Sequence, residues 1–133
     1  MSPESMTNVL TVLRVILAVV FVVAGISHFV PSVQRTMTAM IPPRLRWRGL
    51  WSPRNLVLIT GVCEILGGVG LLLEATRVTS GVALAVFLVA VFPANAYAAR
   101  YKERFGAVAI PFVPRLLGQL VLIALVLAVS LVG

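Results

Sequence analysis

Residues 56–73 read LVLITGVCEILGGVGLLL, an apolar run with a single carboxylate, Glu64, at its middle. At 1.5 Å per residue such a run makes a helix of about 27 Å, close to the thickness of bilayer hydrocarbon. An isolated strand would leave its backbone amides unpaired in lipid, so helix is the reading that satisfies the chain. Four glycines (Gly61, Gly67, Gly68 and Gly70) do not oppose it, because small residues let membrane helices approach closely.

Three further runs have the same character. Val9–Ile26 is interrupted by Arg14, Val78–Ala99 carries Pro93 and Asn95 near its end, and Leu116–Val132 carries Gln119 near its start. The composition agrees. Of 133 residues, 60% are hydrophobic and 11% charged, and the mean hydropathy is +1.07. A soluble domain carries about 25% charged residues, and this chain has too few to cover a water-facing surface. The expected fold is all-α: a single domain over residues 1–133, an integral membrane bundle of four transmembrane helices. Ala24-Gly25-Ile26 is a poor signal-peptidase site, so the first run is expected to stay as a span.

The 11 Lys and Arg residues outnumber four acids, for a net charge of +7. Nine lie in two connections. Phe29–Asn55 holds Arg35, Arg44, Arg46, Arg48 and Arg54; Arg100–Arg115 holds Arg100, Lys102, Arg104 and Arg115. The positive-inside rule and anionic headgroups account for these bases better than nucleic acid does. The rule places both connections in the cytoplasm and both termini outside a cytoplasmic (inner) membrane. Within the first connection, Phe29, Val33, Met37 and Met40 recur at helical spacing after Pro31, which predicts a short interfacial helix ended by Pro42-Pro43. Trp47 and Trp51 follow as interfacial anchors. A second apolar piece, Ala107–Val113, is broken by Pro111. Both pieces read as cover at the membrane surface.

The polar residues inside the spans carry the functional expectation. An unpaired ionised carboxylate at mid-span costs at least about 2.5–3.5 kcal/mol, so Glu64 must be protonated, paired or hydrated. It shares a helix face with Gly61 and Gly68 and should point into the bundle. Two readings follow: a proton or ligand site, or a carboxylate that fixes helix register. Arg14, Ala18, Phe21, Gly25 and His28 lie on one stripe of the first helix. Counting depth from the cytoplasmic end puts Glu64 nearer Arg14 than His28, so an Arg14–Glu64 ion pair is expected. His28, Asn95 and Gln119 come out close to the cytoplasmic boundary as a polar ring. Pro93 frees the carbonyl of Val89 beside them. His28, Glu64, Asn95 and Gln119 are the candidate ligand-binding residues. The single histidine and single cysteine, Cys63, offer no haem-ligand pair, thiol pair or readable metal site, and no flavin or dinucleotide glycine motif is present. No catalytic residue is expected.

Several separated blocks resemble DoxX-like membrane proteins. Residues 24–31, AGISHFVP, resemble the family's AGxxHFxxP segment, and Met40-Ile41-Pro42-Pro43 its MIPP element. Residues 61–73 resemble its GxxEIxGGxxLL helix, with Thr76-Arg77 and residues 91–95, VFPAN, completing the pattern. The resemblance implies a four-helix inner-membrane protein of bacteria and archaea, related to small subunits of quinone-linked oxidoreductases such as thiosulfate:quinone oxidoreductase and a terminal quinol oxidase. By position it points to His28, Glu64, Pro93 and Asn95. The leading expectation is an accessory or scaffold subunit that docks redox proteins at the membrane and is not a stand-alone enzyme. The alternatives are binding of a quinone or lipid-like molecule within the bundle, and proton-coupled transport, which in a 14.2 kDa chain would call for an oligomer.

Overall fold

A computed structural model describes residues 2–100 and 111–132. Among these, all regular structure is helical: α1 (Pro3–Ser27), α2 (Pro31–Ala39), α3 (Pro53–Leu72), α4 (Arg77–Arg100) and α5 (Phe112–Leu131), with 3-10 turns at Pro43–Leu45 and Gly49–Trp51. The helices α1, α3, α4 and α5 are long and apolar enough to cross a membrane. Proline opens α1, α2 and α3, where its missing N–H costs nothing, and the Ser2 and Ser52 side chains accept from the first free amides of α1 and α3. The short helix expected after Pro31 is α2. The Ala107–Ile110 part of the second cover piece, with Lys102 and Arg104, lies outside the described residues.

The long helices form a ring, α1 on α3, α3 on α4, α4 on α5, and α5 back on α1, while α2 packs on α3. Neighbours run antiparallel: Gly25 faces Gly61 and Ala18 faces Gly68 across the α1–α3 contact. That contact is backbone on backbone. A Cβ at Gly25 would stand 2.6 Å from the Gly61 carbonyl oxygen, and one at Gly68 would stand 2.9 Å from that of Ala18. Between helices in lipid such close packing substitutes for the hydrophobic effect that drives soluble cores.

Leu17, Phe21, Leu71, Leu84, Leu88, Val126 and Val129 form the buried core. The outer faces stay apolar and exposed, among them Val12, Val23, Leu66, Val86, Val89 and Val121. Apolar residues on both sides of a helix are what a lipid-facing bundle requires.

Helix ends buried away from water leave carbonyls unsatisfied. At one end of the bundle two arginines supply donors. Arg14 gives Nε and Nη2 to the Val129 carbonyl at 3.2 and 3.1 Å, and Arg77 gives Nε to Leu71 at 3.3 Å. These carbonyls lie in the last turns of α5 and α3, where the helix dipole also favours a cation. Arg46 treats α2 the same way, donating to the carbonyls of Thr38, Ala39 and Ile41.

Candidate functional site

At the other end, the last turn of α1 meets the first half of α3. His28 Nε2 stands 3.0 Å from Glu64 Oε2, and both side chains are about nine-tenths buried. The expected Arg14–Glu64 pair does not form, because Arg14 is committed to Val129. The register explains the difference. With Gly25 opposite Gly61 and Ala18 opposite Gly68, Val22 stands level with Glu64. Arg14 is then about 12 Å away along the axis and His28 about 9 Å. Helical side chains lean toward their own N-terminus. In antiparallel neighbours this brings His28 and Glu64 together and turns Arg14 and Glu64 apart. The depth count failed because the first turn of α3 extends past the end of α1 and because side-chain tilt was left out.

The imidazole is held from its other side. His28 Nδ1 lies 2.9 Å from the Val57 carbonyl and 3.1 Å from Thr60 Oγ1. A carbonyl only accepts, so Nδ1 carries a proton there. The Thr60 hydroxyl donates to the same carbonyl at 2.8 Å. The His28 backbone carbonyl accepts from Gln34 Nε2 of α2 at 3.1 Å, which ties α2 to the site. Nε2 and Oε2 at 3.0 Å would repel as two bare acceptors, so a further proton lies between them. The pair is therefore net neutral, either as imidazolium with carboxylate or as imidazole with carboxylic acid.

Beside the pair opens a cavity of about 530 Å³, within the range of small-molecule sites. His28, Thr60 and Glu64 form one wall and α4 contributes Phe87, Val91 and Asn95 to another. Met37 of α2 and Met40 at its C-terminal cap, together with Ile41, Pro42 and Trp47, line it from the side of the first connection. The lining is mostly apolar with a few polar groups, as expected for an amphiphilic ligand.

The candidate residues separate in this arrangement. His28, Glu64 and Asn95 line one cavity; Gln119 of α5 does not, and is only partly buried. The side-chain carbonyl of Asn95 accepts from Arg115 Nη1 at 3.0 Å. Pro93 lines the cavity as well. Thr60 and the Val57 carbonyl were missed in the sequence. Thr60 lies four residues before Glu64, one helical turn away on the same face, so its signal was present. The contribution of Met37, Met40 and Trp47 had no such signal, since it depends on how the connection folds back. Among the described residues, no three His, Cys, Asp or Glu side chains gather to hold a metal ion.

The fold and cavity define a helical bundle of membrane-spanning length with a polar pair facing an apolar pocket. The chain belongs to a family described as a domain of unknown function (DUF8561), whose model matches residues 17–130 and so includes the pair and most of the bundle. No curated protein and no solved structure matches it.

Proposed function

We propose that the protein is a multi-pass membrane protein whose bundle binds a lipid-like small molecule. Its polar head meets His28 and Glu64 and its apolar body lies against α2 and α4. The observation that carries this reading is the cavity of about 530 Å³ beside the His28–Glu64 pair. A carboxyl that only fixed helix register would be enclosed by packed side chains. Here it borders open space. The DoxX resemblance supports the same reading, since it associates such bundles with lipid-soluble quinones. Accessory docking to redox proteins rests on that resemblance alone and stands second. The nine bases of the two cytoplasmic-type connections favour an orientation with both described ends of the chain outside.

Purification in mild detergent, followed by extraction and mass spectrometry of bound small molecules, tests the reading. Wild-type protein should carry about one amphiphile per chain. Ala94→Phe, which places a ring among the cavity-lining residues, should carry much less. Equal retention by both proteins would overturn it.

A further inference from the structure

The hydrogen-bonding groups at the cavity wall leave one demand unmet. The Nδ1 proton of His28 and the Thr60 hydroxyl proton are both directed at the Val57 carbonyl. The remaining proton of the pair lies between Nε2 and the carboxyl, so it too is directed within the pair. Glu64 therefore turns lone pairs, and no proton, toward the cavity. Glu64 Oε2 is buried and stands 3.0 Å from Nε2, so the carboxyl's other oxygen, Oε1, is the acceptor left for the cavity.

Building on the reading that the cavity holds an amphiphile, we infer that the headgroup is a neutral hydrogen-bond donor, an alcohol or a phenol, whose hydroxyl sits on Glu64. At Glu64 a ketone or ether would set lone pairs against lone pairs. An anion would meet the same acceptors at closer quarters. An ammonium would bring an unbalanced charge into an apolar cavity, because the His28–Glu64 pair is already neutral as a unit. A hydroxyl supplies the missing proton and adds no charge.

The test uses the full chain in mild detergent and two matched pairs of probes, titrated by native mass spectrometry. One pair is 4-octylphenol and its methyl ether. The other is dodecan-1-ol and its methyl ether, which separates an aromatic from an aliphatic hydroxyl. Within at least one pair, the hydroxyl compound should bind about tenfold more tightly or better, the scale of one strong hydrogen bond. In Glu64→Met, which has no acceptor oxygen, that preference should shrink to about threefold or less. Should the variant fail to fold, the wild-type comparison decides alone. Equal binding within both pairs, or tighter binding of the ethers, would overturn the donor inference and leave the cavity reading standing. No binding by any of the four probes would overturn both.

Discussion

The two ends of the bundle solve the same problem in opposite ways. Both must satisfy polar groups in an apolar setting. At one end Arg14 and Arg77 reach the terminal carbonyls of α5 and α3, and Leu71, Val126 and Val129 around them are fully buried. Polar demand of these two carbonyls is met from within the chain. At the other end His28 and Glu64 hold each other, yet a cavity opens beside the pair. Arginine donors among fully buried side chains mark a structural end. Fixed polar groups beside open space mark an end prepared for another molecule.

The largest expected effect tests what joins the two ends. Gly25→Leu would drive a side chain into the Gly61 carbonyl and Ile65, forcing α1 from α3. Overpacking of this kind should cost about 3 kcal/mol or more and remove ligand binding with it. Unfolding titrations in mixed micelles measure the loss; wild-type stability would deny that backbone contact holds the site. Next comes Arg14→Met. It leaves the Val129 carbonyl without its donor and should lower stability by about 1–3 kcal/mol, with binding at the far end unchanged. A binding defect in a well-folded Arg14→Met protein would break the division between the ends.

Glu64→Gln should do the reverse. The amide keeps the volume and some hydrogen bonding but replaces one acceptor oxygen by an NH2 donor. Stability should change by less than about 1 kcal/mol, while a hydroxylated ligand binds about fivefold more weakly. A variant equal to wild type in binding would return Glu64 to a purely structural role. The smallest effect is expected at Gln119→Ala, since Gln119 lies outside the cavity. Binding should stay within about twofold of wild type, and a larger change would extend the site to α5.

Periodicity and length were enough to read the four long helices and the short helix after Pro31, because each depends on local pattern. Their pairing partners were harder. Glu64 and Arg14 were matched by Cα depth, but the partner was decided by the register that Gly25 and Gly61 impose and by the tilt of side chains along antiparallel helices. His28 was legible as a polar residue at the end of a span; that its ring meets Val57, Thr60 and Glu64 together was not. The wall formed by Met37, Met40 and Trp47 belongs to an irregular connection, where sequence pattern says least about direction.

The bond from Arg14 to Val129 also sets an order in time. The two residues are separated by 115 positions. At a synthesis rate of about 5–20 residues per second, roughly 6–23 s pass between the appearance of the guanidinium and that of its acceptor. Throughout that interval Arg14 is without the acceptor it holds in the folded chain. Its early placement is therefore provisional, and it becomes final only when α5 arrives to receive it.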